Sequence, residues 1–540
     1  MLVARTHART HARTHSLTHS LSPQVEGANP GFSGDAVKAI EVSAAAPRRP
    51  PSTIPPVHLL TDPAFPSPTV QTAGNLVFAA VAGDDGPGFL AIYSAVDLSF
   101  IGSVPVNAAP ESLSVSADGL VIAGGSEGDD DTPGSVFVLT LDPSVCAPAC
   151  DEYLRGGGVG FLSAVANYEI PESIGTVESL RAAGVRIVDE DTPAHVQLAV
   201  EGVAVSPDSG TVYVNFQSNN AMAAVDAVTG EWKWINSYGT NDMVMDPSDR
   251  DGGINIASEW FGVTIKGLHM PDEIEAYEVD GKVYVVTANE GSGDDVELGD
   301  VGTTCASNEQ IVDEAVLGRL AVVDSYPVLF DDEGRIICDT IHTPSTRSFS
   351  IFEVDDAGMT EVFDSAGSME ELVARTNPNF FNSQDDSNEF DGRSDAKGVE
   401  PEGIKLGVMP DGTVLCFVSS ERVSGVFVYD VSDPFDVQLV DYLNRRNFGD
   451  VDIEEQIDTG VFTYASLDVG PENFAFIAAE DSPTCAPALL VASPISGTTT
   501  IYNIVEAVAM REGDGHCETD DECAMMYGSP PLFSEATRAC

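Results

Sequence analysis

The sequence predicts an all-β fold, a β-propeller of about seven four-stranded blades carrying long inserted loops. Two observations predict it. From about residue 71 onward, short β-branched runs alternate with Gly, Asp, Pro and Ser turns, and helical periodicity is sustained only in SIGTVESLRAAGVRI and SMEELVARTN. Two local patterns then recur. The first is a carboxylate just before an apolar strand, a turn and a second strand: PESLSVSADGLVIAG from Pro110, VEGVAVSPDSGTVYVNF from Val200, PDEIEAYEVDGKVYVVTA from Pro271, PEGIKLGVMPDGTVLCFVSS from Pro401 and PENFAFIAAEDSPTCAPALLVAS from Pro471. The second is a strand, a turn and a return strand: GFLAIYSAVDLSFIGSV, NAMAAVDAVTGEWKWI, GRLAVVDSYPVLFDDEGRI, SFSIFEVDDAGMTEVFDS and GVFVYDVSDPFDVQLVDYL. One of each, joined end to end, makes a four-stranded antiparallel meander, which is a propeller blade.

Irregular spacing of the first pattern requires insertions near 140–195, 237–270, 290–317 and 366–398, the kind of rim segment where a propeller carries function. Residues 1–70 are rich in Pro, Ser, Thr and Ala and read as a disordered low-complexity segment, 71–505 as the propeller closed by the strand TTTIYNI, and 506–540 as a Cys-containing tail. The Arg-Thr-His repeat at the start lacks the apolar stretch of a signal peptide; His7, His11, His15 and His19 read as a disordered tail or as a metal-binding tract.

Eighty-six acidic residues against twenty-five basic ones give a formal charge of −61, which repels nucleic acid and anionic bilayers. The same field concentrates divalent cations, and Ca²⁺ prefers the carboxylate and carbonyl oxygens present in excess; acidity can equally serve solubility alone. The close cysteine pairs in CAPAC and CETDDEC suit disulfides and an oxidising, extracellular compartment, while Cys416 in TVLCFV suits a buried free thiol. No run approaches the length of a transmembrane helix, and N-x-Ser/Thr sequons are absent.

Several ordered strings, LRAAGVRI (180–187), PSDRDGGINI (247–256), TANEG (287–291), LGRL (317–320), RSFSIFE (347–353), FDGRSDAKGVEPEGI (390–404), ERVSGVFVYDV (421–431) and SGTTTIYNI (496–504), resemble those of the choice-of-anchor I domain family. The resemblance implies a propeller in an extracellular or cell-surface setting and a link to biomineralisation in animal members; some bacterial members carry an alkaline phosphatase name, but the resemblance implies no established reaction. This chain departs from the family strings where SGDD follows TANEG and at Asn473 and Pro494.

Glu111, Glu201, Asp272, Glu402 and Glu472 each stand at the start of a first strand. Innermost propeller strands line the central channel, so these carboxylates can ring one of its ends around a cation, or each can cap backbone amides of the neighbouring blade. Asp249, Asp251 and Asn255 in SDRDGGINI make a compact oxygen-donor loop, which Glu290, Asp294, Asp295, Asp391 and Asp395 can complete if the loops meet. Arg250, Arg319, Arg347, Arg393, Lys397 and Arg422 fall inside the family-like strings in a chain poor in basic residues; they are candidates for binding phosphate or a phosphoester beside the cation, with Arg319, Arg393 and Arg422 the catalytic candidates, or else form ion pairs with nearby carboxylates. The string Gly124-Gly125-Ser126-Glu127-Gly128 is no nucleophile elbow, because no helix-forming segment follows. The expectation is a secreted, acidic, calcium-binding propeller that binds a ligand or mineral surface, with a metal-dependent phosphomonoesterase as the alternative.

Overall fold

The computed structural model describes residues 70–504 apart from 84–85, 107–109, 129–131, 143–158, 261, 293–294, 306–307, 326, 339–340, 450–452, 460–465 and 483. The expectations for residues 1–69, Cys146, Cys150, Asp294, the tail after Ile504 and its cysteines lie outside the described residues.

Among the described residues, six antiparallel meanders follow one another along the chain. Val70–Ala73, Leu76–Gly83, Gly86–Ser94 and Phe100–Pro105 form the first blade, and Pro110–Val115, Val121–Ser126, Ser135–Leu141 and Leu162–Glu169 the second. Gly202–Val205, Thr211–Phe216, Ala221–Asp226 and Trp232–Ser237 form the third, and Ile274–Val279, Lys282–Ala288, Phe349–Asp355 and Gly358–Asp364 the fourth. Pro401–Val408, Val414–Ser420, Gly425–Asp430 and Gln438–Leu443 form the fifth; Asn473–Ile477, Ala488–Ser493 and Thr498–Asn503 are the described strands of a sixth. The first strands of consecutive blades neighbour one another, the radial order of a β-propeller.

The two-residue strand period explains why the blades stack in this way. In Val414–Ser420, Cys416 and Val418 turn toward the fourth blade, whereas Leu415 and Phe417 turn toward the sixth. Each middle strand is thus buried on both faces and reads as a continuous apolar run, while outer strands such as Gln438–Leu443 are part exposed. Separate apolar cores fill the gaps between blades one and two, two and three, three and four, four and five, and five and six. At roughly 25 cal/mol per Å² of buried apolar surface, these interfaces supply the main driving force for the ring.

The long insertion of the fourth blade separates its second and third strands. Within it the segment GRLAVVDSYPVLFDDEGRI, expected as a blade hairpin, instead contributes Ala321–Val323 to a two-stranded pair with Asp295–Glu297. The reason is a private core: Leu317, Leu320 and Val322 pack with Met243, Met245, Ile265 and Leu268 of the segment before the blade. A Cys305–Cys338 disulfide closes this unit. Both helical exceptions in the sequence form helices, at Val177–Ala182 and Ser368–Thr376. Cys416 is a buried free thiol. No helix among the described residues is long and apolar enough to cross a membrane.

Candidate functional site

The first strands of the third to sixth blades bring their opening carboxylates together. Glu402 is set out of the ladder by a register shift between Pro401 and Ile404, and Glu111 by a like shift between Pro110 and Ser112. The glycine after the carboxylate permits the next blade to approach. Gly403 packs so closely on the Glu472 carbonyl that any Cβ would collide with it, and a Cβ on Gly202 would lie 3.2 Å from the Asp272 carbonyl. Asn215 of the third blade fixes the same junction, donating to the carbonyls of Pro271 at 2.7 Å and Asp272 at 3.2 Å.

Electrostatic coupling reports the convergence. Burial pushes Asp272 well above the usual carboxylate range, and Glu290, Glu273, Glu201 and Glu472 push it further. Glu402 is raised by burial and by Glu421, Glu472, Glu290 and Asp272. Burial, with Glu127 and Glu290 nearby, lifts Glu201 to about 8, and burial lifts Glu472 to about 7 against the opposing effect of Arg422. One oxygen each from Glu402, Glu421 and Glu472 lies within 4.8 Å of the others, a spacing that suits a shared cation. Oε2 of Glu402 is buried and has no hydrogen-bond partner among the described residues.

Two carboxylates next along the first strand of the fourth blade cap amides of the neighbouring blade. Glu273 accepts from the Ile404 amide at 2.9 Å and Glu275 from the Leu406 amide at 2.5 Å, joining the fourth blade to the fifth.

Beside the ring lies a hub of opposite character, centred on the fully buried Glu400. Arg393 and Arg422 pair with its two oxygens and the Lys397 ammonium stands 3.3 Å away. Although burial acts the other way, Arg393, Lys397 and Arg422 hold the Glu400 carboxyl far below its ordinary value. Lys397 also pairs with Glu290 at 2.5 Å, and Arg422 with Glu421 at 3.0 Å and Asp385 at 2.7 Å. A third basic group, Arg319, joins Asp249 at 3.0 Å, Asp395 at 2.8 Å and Glu297 at 3.5 Å.

Arg347 explains why strings far apart in sequence meet here. Its buried guanidinium donates to the Asp246, Ser394 and Ala396 carbonyls and to Glu370, tying the SDRDGG loop to the SDAKG loop. Arg347 and Glu400, with φ of 56° and 47°, occupy the left-handed region, a local strain held by the surrounding contacts.

The structure therefore divides the sequence-derived candidates. Glu201, Asp272, Glu402, Glu472 and Glu290 converge at one end of the channel, and Glu111 opens the equivalent strand of the second blade. Asp249 and Asp395 do meet, but across the Arg319 guanidinium. Asp251 turns back on its own loop, accepting from the Gly253 amide at 3.2 Å, and Asn255 gives its backbone amide to Asp246 at 2.5 Å. Burial and Asp251 raise Asp246 to about 6, and burial, Asp246 and Asp251 raise Asp391 to about 7. Arg319, Arg393 and Arg422 are all engaged by carboxylates. His269 pairs with Glu361 at 2.8 Å close to Asp364.

Glu400, Glu421, Asp385 and Asp246 were not singled out from sequence. A signal was present for Glu421. The second strands of three blades run out through GSE, ANE and SSE, with Glu127, Glu290 and Glu421 just past their ends.

Among solved structures the chain is similar to Kuenenia stuttgartiensis hydrazine synthase, with 13% identity over 84% of this chain and 99% of that one and a TM-score of 0.32. It is also similar to the Pseudomonas aeruginosa periplasmic gluconolactonase, with 13% identity over 80% and 92% and a TM-score of 0.32. For the WD40 domain of Toxoplasma gondii coronin the identity is 10% over 80% and 79%, with a TM-score of 0.32. No curated protein matches the chain. The Choice-of-anchor I domain model matches residues 33–434, which hold the basic hub and every ring carboxylate but Glu472. On that match over most of its length, the chain belongs to the choice-of-anchor I domain family.

Proposed function

We propose that this protein is an extracellular, calcium-binding β-propeller that acts by binding a ligand or mineral surface, with the cation held by Glu402, Glu421 and Glu472 and supported by Asp272 and Glu201. The carrying observation is Glu402: a carboxylate oxygen buried among other carboxylates without a hydrogen-bond partner among the described residues. Such a group costs several kcal/mol unless it is protonated or neutralised by a cation. Ca²⁺ suits the all-oxygen donor set, since it takes six to eight oxygens in flexible geometry. The Cys305–Cys338 disulfide supports an oxidising compartment and the family membership a surface or secreted setting.

The binding reading stands ahead of a phosphomonoesterase because Arg319, Arg393 and Arg422 each spend their guanidinium on carboxylates. The deciding experiment is calorimetric titration of the full chain with CaCl₂, beside Glu402→Gln, with chromogenic phosphomonoester turnover followed on the same samples. Loss of one calcium equivalent in Glu402→Gln without turnover in either protein supports the reading. Unchanged calcium binding in that variant contradicts it, and calcium-dependent turnover lost with Glu402 replaces it with the enzyme.

A further inference from the structure

Two carboxylate trios lie side by side at this end of the channel, Glu290, Glu400 and Glu421 in one, and Glu402, Glu421 and Glu472 in the other, each with one oxygen per residue within 4.8 Å of the rest. They share Glu421, yet their occupancy differs. The first already contains a cation: the Lys397 ammonium, 2.5 Å from Glu290 and 3.3 Å from Glu400, on a side chain only 11% exposed. Arg393 and Arg422 add to its neutralisation through Glu400, and Arg422 also pairs with the shared Glu421 at 3.0 Å. In the second trio, neither Glu402 nor Glu472 receives a direct side-chain bond from any lysine or arginine among the described residues, and Oε2 of Glu402 has no partner.

We infer that Lys397 is the resident cation of the first trio and restricts the channel mouth to one divalent ion, held in the second. The inference rests on the calcium reading above. An ammonium supplies one positive charge through three hydrogen-bond donors, and here it bridges two of the three carboxylates a metal would need, Glu290 and Glu400. With it in place, a second divalent ion would face both the ammonium and its twin across the shared Glu421, a repulsion that low-dielectric surroundings strengthen. Without it, Glu290 regains a free oxygen in a trio of metal-binding dimensions. Glu400 keeps two guanidinium partners, so its charge stays compensated.

The test is the calcium stoichiometry of the full chain at fixed ionic strength, for wild type, Lys397→Gln, Lys397→Arg and Glu402→Gln. Lys397→Gln is expected to bind one more equivalent than wild type, Lys397→Arg the same number and Glu402→Gln one fewer. If Glu402→Gln loses an ion and Lys397→Gln gains none, the role of Lys397 is overturned and the calcium site stands. If Glu402→Gln binds as wild type, the calcium site itself falls. Should Lys397→Gln not fold, Lys397→Arg decides: a wild-type count supports the resident cation and an extra ion contradicts it.

Discussion

Gly403→Ala tests the link between blade packing and the carboxylate ring. A Cβ at this position lands on the Glu472 carbonyl, well inside the 3.0 Å that real Cβ atoms keep, and the Ser419 hydroxyl stands 3.0 Å away on the other side. The obstacle is backbone of the sixth blade rather than a flexible side-chain tip, so the two first strands must part. Overpacking of this kind costs about 1–3 kcal/mol, and a rigid backbone partner places the variant at the upper end. Gly412→Ala is the matched control: its φ is +93° and nothing lies within 4 Å, so it carries only the cost of a side chain in the left-handed region, about 1 kcal/mol. Urea unfolding in chelator separates the two costs, and calcium titration of the same proteins reads the ring. Gly403→Ala is expected to unfold about 2 kcal/mol more easily than Gly412→Ala and to bind calcium at least about tenfold more weakly, because parting the strands draws Glu472 away from Glu402. Equal stability of the two variants together with wild-type calcium affinity would refute the reasoning.

The metal-free protein is expected to lose stability as pH rises from about 5 to 8. Glu201 at about 8, Glu472 and Asp391 at about 7 and Asp246 at about 6 all hold protons more tightly folded than unfolded, so the folded state is favoured below their unfolded values and loses ground as pH climbs to the folded ones. The slope is at most about 1.4 kcal/mol per pH unit for each titrating group; a melting temperature in EDTA that is higher at pH 8 than at pH 5 would exclude it. Arg347→Met strands the buried Glu370 charge and frees the Asp246, Ser394 and Ala396 carbonyls, for a loss of about 3–5 kcal/mol. Hydrogen exchange should quicken in residues 246–255 and 391–400 together, and protection kept in both loops would show that the guanidinium does not tie them. Arg347→Lys should not rescue, because one ammonium cannot span the four acceptors of the fork.

The blades were legible because a middle strand packed between two neighbours reads as an unbroken apolar run, VYVNF or VLCFVSS, closed by Asp-Gly or Asp-Ser turns. The opening carboxylates were legible for a related reason: a residue at the start of an innermost strand repeats with the blade. GRLAVV misled because its apolar residues satisfy a private core that sequence does not distinguish from a blade interface. The partition of the acids was not legible. Asp249 and Asp251 lie two residues apart, yet one pairs with Arg319 and the other caps its own turn, a choice made by side chains seventy residues away. Glu400 and Glu402 differ as sharply, since only the first meets Arg393, Lys397 and Arg422.

The central claim, a cation seated among Glu402, Glu421 and Glu472, is tested most directly by anomalous scattering from crystals of the protein grown with terbium in place of calcium. The account predicts a peak between the three carboxylates, about 2.3–2.6 Å from an oxygen of each. An empty channel mouth in crystals that hold terbium elsewhere would contradict it.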